Sequence, residues 1–457
     1  MQFSDLTGRR VVVWGLGREG ASVLAHCRAL GVDVSGAEPD SEAPTDGTAN
    51  PEAAYGARGR AALLGADVVV KSPGVPRTHE LYLALVDAGV MITSLTDLWV
   101  SENAGRVVAV TGTKGKSTTA SVVHHVLSHA GVRSSLRGNI GTSVLAETEP
   151  PAEVVVMELS SYQAQSLTVS PRIVAVTSLF PEHLTWHGGL EEYYADKLNS
   201  VAHGPEWVVV PGDAEEVLRR VSARISPGAS LLTTGSPDPT GSAADGEDEA
   251  RVGVDAAGDL VWPDGFRVAA PDLPLVGRHH AGNIALALRI TALLGVERAS
   301  AADALRTFAP LPHRMERIPS DDGRTWIDDS LATAPEAVVA SLAGVAGRTV
   351  AAVIGGEDRG LDFSPLLDHV AGRDDVRLLL IGPAGARIAE QRPGAGTLFG
   401  SFAEAMAWAR SAQNTCEVVL LSPGAPSYDE FANYEERSSA FRAAALGTLP
   451  GVTRHHH

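Results

Sequence analysis

The sequence predicts an α/β protein of several domains built on parallel sheets, and three observations predict it. At 457 residues the chain is too long for one compact core, so two to four domains are expected. Short runs rich in valine alternate with helical stretches, which is the strand–helix–strand pattern of a parallel sheet. Two glycine loops stand where a strand hands over to a helix, the place where backbone amides can face a ligand.

The elements follow in order. "RRVVVWGLG" reads as a buried strand entering a glycine turn, with a helix through "EGASVLAHCRALG". Strands follow at "VDVSGAE", "ADVVVKSPG" and "VMITS". A second block opens with "GRVVAVTGTKGKSTTASVVHHVLSHAG", again strand, loop and helix, and continues with strands at "AEVVVMELSS", "RIVAVTSLF" and "EWVVVPGD". The stretch 236–260 is polar and rich in breakers, so it reads as a surface excursion. A helix follows at "HHAGNIALALRITALLG". A third block begins near "LPHRMERI", with strands at "TWIDDS", "TVAAVIGG", "VRLLLIG" and "CEVVLLSPG". Three α/β domains are expected, 1–100, 101–310 and 311–454, and residues 455–457 read as a histidine tag.

Composition narrows the classes. The net charge is −18 and there is no basic stripe, so nothing suggests a nucleic-acid surface. No apolar run has the length of a membrane span. The start has no basic segment leading into an apolar one, so a cytoplasmic protein is expected. Cys27 and Cys416 are far apart, without metal-ligand spacing, and read as buried small hydrophobes.

The first loop, Gly15-Leu-Gly17-Arg-Glu-Gly20, has G-x-G-x-x-G spacing after a strand. Glu38 falls where a dinucleotide fold places a ribose-binding acid. A bare structural turn and a nicotinamide enzyme both remain open here, although a block ending near residue 100 is short for a full dinucleotide fold. Ser72 and Gly74 of "KSPGVP" offer amides for a further phosphate. The second loop, "VTGTKGKSTTA", is more specific. Gly112, Thr113, Lys114 and Gly115 lead into Lys116, Ser117 and Thr118 at a helix start. Amides and the helix N-terminus suit phosphates, Lys116 supplies a point charge, and the Ser117 hydroxyl suits Mg²⁺. The loop departs from the usual pattern, because Val110 stands where its first glycine is expected. Glu158 ends a strand, and Glu182 and His183 follow another, so they can converge on that loop. His187, His279 and His280 have weaker cases.

Taken together, these residues resemble the Mur ligases, the ATP-dependent amide-forming enzymes of peptidoglycan precursor synthesis. "TGTKGKST", "GNIG", "ELSSYQ", "EHL", "YYADK", "HHAGN", "LPHRME", "WIDDSLAT", "GGEDRGLDFS" and "LLSPGAPSYDEFANYEERS" follow in family order. The resemblance implies a Rossmann-like N-terminal domain for a UDP substrate, a central P-loop ATPase domain, and a Rossmann-like C-terminal domain. It implies that ATP phosphorylates a carboxylate and that an amino group then attacks the acyl phosphate. Within the family, the chain is similar to the branch that adds glutamate to UDP-N-acetylmuramoyl-L-alanine.

By the same resemblance, Gly15, Arg18, Glu19, Ser72, Gly74 and Asn139 hold the UDP substrate. The ATP contacts are Gly112 to Thr118, Asn283, Arg314 and Asp329. Thr333, Arg359, Ser427 and Tyr434 hold the incoming glutamate. Lys116, Glu158, His183 and Lys197 are catalytic, and Ser117, Glu158, His183 and Lys197 hold two Mg²⁺ ions. Lys197 matches a lysine that the family carries as a carbamate. The sequence has four lysines, Lys71, Lys114, Lys116 and Lys197, in a chain that otherwise uses arginine. Only an amine that can lose its proton becomes a carbamate, and arginine cannot.

Departures from the family pattern sharpen the expectation. Ser178 stands for an asparagine, Glu182 for an aspartate and His280 for an asparagine. Leu331 stands where enzymes of the D-glutamate type carry a lysine, and Arg359 where they carry another. The set is more similar to a variant branch that adds L-glutamate and relies on a separate epimerase. A monomer is expected. Three other readings stand beside it: a D-glutamate-adding ligase of the same family, a nicotinamide oxidoreductase resting on "GLGREG", and a catalytically silent scaffold, which the set Lys116, Glu158, His183 and Lys197 argues against.

Overall fold

The computed structural model describes residues 1–43, 53–140, 142–146, 150–235, 250–275, 278–309 and 311–448. Gly141, the tag, most of the breaker-rich stretch and the Arg18 side chain lie outside the described residues. The chain divides into two compact units, Met1–Pro274 with Arg278–Phe308, and Leu275–Gly277 with Ala309–His457.

The first unit holds two parallel sheets. The first comprises β1 (Val11–Trp14), β2 (Val34–Glu38), β3 (Ala53–Tyr55), β4 (Val68–Lys71) and β5 (Met91–Thr93), in the order β3-β2-β1-β4-β5. Helices α1 (Arg18–Ala29), α2 (Gly56–Leu64), α3 (Glu80–Asp87) and α4 (Leu95–Asn103) connect and flank it. β1 and β4 read VVVW and VVVK and are buried throughout, as central strands covered on both faces must be. The order reverses between β1 and β4, so the loops after these strands border a crevice at their carboxyl ends.

The second sheet comprises β6 (Val107–Thr111), β7 (Ser134–Gly138), β8 (Val154–Glu158), β9 (Ile173–Val176), β10 (Trp207–Pro211) and β11 (Ser230–Thr234), in the order β11-β10-β9-β6-β8-β7. Its helices include α5 (Lys116–His129), the short α6 (Ser161–Ala164) and α7 (Leu184–His187), then α8 (Leu190–Leu198) and α9 (Glu215–Ser222). β6 is central and wholly buried, with β8 and β9 as its neighbours. The loops leaving β6, β8 and β9 therefore emerge side by side. One apolar cluster, including Val11, Val13, Leu98, Val107, Ala109 and Met157, runs under both sheets. Past residue 249, the stretch read as a surface excursion begins a small antiparallel sheet of β12 (Gly253–Val254), β13 (Leu260–Val261) and β14 (Arg267–Val268). The unit ends with α10 (Arg278–Leu293) and α11 (Arg298–Thr307).

The second unit is a six-stranded sheet with one antiparallel edge. Its strands are β15 (Glu316–Ile318), β16 (Thr325–Asp328), β17 (Val350–Gly355), β18 (Val376–Ile381), β19 (Gly396–Leu398) and β20 (Val418–Leu421), in the order β15-β16-β20-β17-β18-β19. The helices are α12 (Pro335–Ala343), α13 (Ser364–Val370), α14 (Gly382–Gln391), α15 (Phe402–Arg410) and α16 (Tyr434–Ala445). Apart from "VMITS", which is the edge strand β5, the strands read in the sequence are the interior ones. β3, β7, β11, β15 and β19 are edge strands, short or half-exposed, and carry no such signal. Among the described residues no helix is long and apolar enough to cross a membrane.

Candidate active site

The second glycine loop turns sharply out of β6. Gly112 has φ 132° and Gly115 φ 90°, conformations that side chains resist. A Cβ on Gly112 would lie 2.1 Å from Thr177 Oγ1, and one on Gly115 would lie 2.4 Å from Asn283 Oδ1. The loop is therefore clamped between the end of β9 and α10, and Asn283 is brought onto it. Thr113 N donates to the Ser178 carbonyl at 2.8 Å, and Lys114 N donates to Ser178 Oγ at 2.8 Å. Ser178 thus braces the loop in the position where the family pattern expects asparagine. Ser117 and Thr118 follow in the first turn of α5, with Ser117 buried. A cavity of about 620 Å³ opens beside the loop, lined among others by Gly115, Phe180, His279, Asn283 and Leu286.

Two lysines meet on one oxygen. Lys116 Nζ donates to the Gly112 carbonyl at 3.0 Å and to the Thr113 carbonyl at 2.9 Å. Lys197, from the last turn of α8, donates to the same Gly112 carbonyl at 2.8 Å. Its side chain is buried, and 4.9 Å separates its amine from the centre of the Tyr193 ring. Burial first, and then the charge of Lys116, hold the Lys197 amine down at about 7, against a partial pull upward from Glu182. Tyr193 in turn bonds Thr113 Oγ1 at 2.8 Å. Glu158 ends β8, buried, and its Oε2 has no partner among the described residues. His183 sits in the left-handed region at φ 56°, with burial holding its imidazole below the ordinary value. Glu182 pairs with Lys114 at 2.9 Å. Glu158 thus ends β8, and Lys116, His183 and Lys197 stand on the loops and helices that follow β6 and β9.

The first loop meets its partner at the crevice between β1 and β4. Gly15, at φ 90°, approaches Ser72 so closely that a Cβ would lie 2.5 Å from Ser72 Oγ. Glu38 differs from the expectation of a ribose-binding acid. Its Oε1 accepts from Leu16 N at 2.5 Å, so it closes its own loop. Glu19 stands in the first turn of α1, and Asn139 N donates to the Glu158 carbonyl at 3.2 Å. Gly74 accepts from Trp186 Nε1 at 3.1 Å. Lys71 is buried, donates to the Val75 carbonyl at 3.0 Å, and is pushed down to about 8, chiefly by burial.

A buried network escapes the sequence. His187 lies between Asp196, at 2.7 Å from Nδ1, and Ser161, at 3.0 Å from Nε2. An ionised Asp196 can only accept, so Nδ1 carries the proton and Nε2 accepts from the Ser161 hydroxyl. Tyr162 stacks on the ring, and Arg77 reaches Asp196 at 3.4 Å. The network ties the loop after β4 to the helix bearing Lys197. Its sequence signals are His187, which had a weaker case, and the polar residues around Lys197.

In the second unit, Arg314 lies between His313 and Met315, both left-handed at φ 64° and 49°. Asp329 is buried, and its carboxylate accepts from Ser341 Oγ at 2.5 Å, Ser422 Oγ at 3.0 Å and Met315 N at 3.2 Å. Burial pushes Asp329 up to about 6. Thr333 is exposed and Ser427 is buried. Tyr434 begins α16 and packs edge-on against His313 at 5.5 Å. Arg359 pairs with Glu357 at 2.8 Å and lies 5.8 Å from the Tyr428 ring centre. Arg437, not singled out from the sequence, is buried and donates to the Pro426, Ala425 and Ser330 carbonyls, so it shapes the loop that carries Ser427. His313, Glu316 and Asp328 have metal-ligand spacing, but Arg442 already pairs with both carboxylates.

His280 gives a testable consequence of the family departure. It is buried on α10, and neither ring nitrogen has a partner among the described residues. Burial pushes its pKa from 6.5 down to about 3. Between those values the unfolded chain takes up a proton that the folded one refuses. The stability linked to His280 is therefore complete above pH 6.5 and lost as pH falls toward 3, by roughly 1.4 kcal/mol per unit. Denaturant titrations at pH 7.5, 6 and 5 should show a steeper acid loss in the wild type than in His280→Asn.

Comparisons with known proteins agree with this geometry. The profile of the Mur ligase middle domain matches residues 110–291, and that of the Mur ligase glutamate ligase domain matches residues 313–424. A UDP-N-acetylmuramoyl-L-alanine--L-glutamate ligase of Salinispora tropica is 41% identical over 463 residues, covering 98% of this chain and all of that protein. One of the same name from Xanthomonas axonopodis pv. citri is 34% identical, with both chains fully covered. Among solved structures, the MurF ligase of Thermotoga maritima in complex with ADP aligns with a TM-score of 0.57 at 17% identity, covering 97% of this chain and 96% of that one. The MurC of Thermotoga maritima aligns with a TM-score of 0.56, also at 17% identity, covering 94% of this chain and 99% of that one. With its phosphate loop, its parallel sheets and full-length relatives in agreement, the chain belongs to the Mur ligase family of ATP-dependent amide ligases.

Proposed function

We propose that the protein joins L-glutamate to UDP-N-acetylmuramoyl-L-alanine, with ATP converted to ADP and phosphate. The observation that carries the chemistry is the meeting of Lys116 and Lys197 at the Gly112 carbonyl. ATP phosphorylates the terminal carboxylate of the UDP substrate. The glutamate amine then attacks the acyl carbon, and phosphate leaves. The amides from Gly115 to Ser117 at the start of α5 and the Lys116 ammonium hold the transferring phosphate in place, which is positioning and charge stabilisation in one device.

Mg²⁺ fits the residues present, because a buried carboxylate oxygen on Glu158 without a partner among the described residues calls for a cation. Ser117, Glu158, His183 and a carbamylated Lys197 would hold two such ions. Bound there, Mg²⁺ would neutralise phosphate charge. Lys197 suits carbamylation: an amine near 7 is substantially neutral at physiological pH. It can add to CO₂ with loss of one proton, and the carbamate keeps one N–H for the Gly112 carbonyl. Gly15, Arg18, Glu19, Ser72, Gly74 and Asn139 hold the UDP substrate. Asn283, Arg314 and Asp329 contact the nucleotide, and Thr333, Arg359, Ser427 and Tyr434 hold glutamate. These roles divide the chain into functional domains at 1–100, 101–310 and 311–454. The protein acts as a cytoplasmic monomer, upstream of an epimerase.

Leu331, in place of a lysine, favours L-glutamate. One cation fewer, and a planar guanidinium at Arg359, change how two carboxylates are held. ADP release measured with both enantiomers in the presence of the UDP substrate tests this. L-Glutamate should be preferred at least about tenfold. Turnover with D-glutamate alone would overturn the enantiomer, and turnover with neither would overturn the reaction.

A further inference from the structure

A cavity of about 350 Å³ lies in the first unit, at the opposite end of β6 from the phosphate loop. Arg106 precedes β6 and lines the cavity, whereas Gly112 follows the strand, about 20 Å further along. Trp99, Arg137, Val144 and Leu145 are among the other walls.

Arg137 is only 5% exposed. It donates Nε to Ser135 Oγ at 3.1 Å and Nη1 to the carbonyls of Ser143 at 3.1 Å and Val144 at 3.0 Å. All three acceptors are neutral, and Nη2 has no hydrogen-bond partner among the described residues. Arg106 donates to Asn103 Oδ1 at 2.9 and 2.6 Å and to the Ala152 carbonyl at 2.8 Å, again neutral acceptors. The carboxylate lining the cavity, Glu102, is exposed and accepts from Phe3 N at 2.8 Å. Two guanidinium groups thus line one cavity with no ion pair to either among the described residues. Burying such a charge is costly unless an anion answers it. The Arg137 guanidinium is indeed held below its ordinary value, first by burial and then by the charge of Arg106.

We infer that this cavity is a separate anion site, taking a small oxyanion of the phosphate or carboxylate class between Arg137 and Arg106. A planar oxyanion or a phosphate suits the guanidinium fork. An anion there would brace the Ser143–Val144 turn, in the segment that follows Asn139.

Isothermal titration with inorganic phosphate and with succinate tests it, using the full chain with Lys116→Ala so that the phosphate loop lacks its lysine. Saturable binding of at least one probe is expected. Adding Arg137→Gln should weaken it at least tenfold, and Leu145→Trp, which fills the cavity and spares both arginines, should abolish it. The tighter probe identifies the anion class. No saturable binding of either probe, or equal affinity with and without Leu145→Trp, would overturn the site. The Leu145→Trp arm decides the matter should Arg137→Gln fail to fold.

Discussion

Lys116→Ala is expected to lower ADP release by about 10²–10³-fold at saturating substrates, the range for removing one preorganised charge from a transition state. Lys116 Nζ lies between two carbonyls of its own loop, at 3.0 and 2.9 Å, so its charge is held before any substrate arrives. Such a charge costs no reorganisation when the phosphoryl group moves. The loop itself should survive the substitution. Gly112 and Gly115 set its path, and Ser178 holds it through Thr113 N and Lys114 N. Unchanged circular dichroism with lost turnover is therefore the expected pair of observations. Turnover equal to the wild type would sink the ligase reading.

Lys197→Arg should lose activity by a similar factor, about 10²–10³. The guanidinium keeps its proton and cannot accept CO₂. The more decisive variant is Lys197→Ala in the presence of small carboxylates such as acetate. It removes the amine and leaves space where an added carboxylate can stand in for the carbamate oxygens. Partial recovery of turnover with rising acetate, and none in Lys197→Arg, is the expected result. Failure of every small carboxylate to restore Lys197→Ala would argue for a plain ammonium. The direction of the amine's shift supports the carbamate. Below about pH 7 the amine is mostly protonated and unreactive, and above it mostly neutral. Activity in CO₂-depleted buffer should therefore fall on the acid side and recover with bicarbonate at higher pH.

Much of this was readable along the chain, for a reason specific to parallel sheets. Strands covered on both faces need unbroken apolar runs, so β1, β6, β17 and β20 announce themselves. A phosphate loop needs glycines at positive φ next to a helix start, so Gly112, Gly115 and Lys116 lie close together in the sequence and are visible. Lys197 stood out because a chain rich in arginine had kept a lysine there. Of the edge strands only β5 was read, at "VMITS", since a half-exposed strand of a few residues has no distinctive pattern.

By itself the sequence determined the order of the elements, the chemistry of the phosphate loop and the identity of its lysines. The tertiary structure alone decided which side chains answer one another. Glu38 turned out to close its own loop, and Asn283 to press on Gly115, far from it in sequence. Ser161, His187 and Asp196 came together around one imidazole, and Arg437 came to sit beneath the loop of Ser427. Two guanidinium groups were left facing one cavity. Local patterns arise from the period of a helix or strand, so they can be read in a window of a few residues. Partnerships between loops depend on which strands lie side by side, and that is settled only when the whole sheet closes its hydrogen bonds and buries its faces.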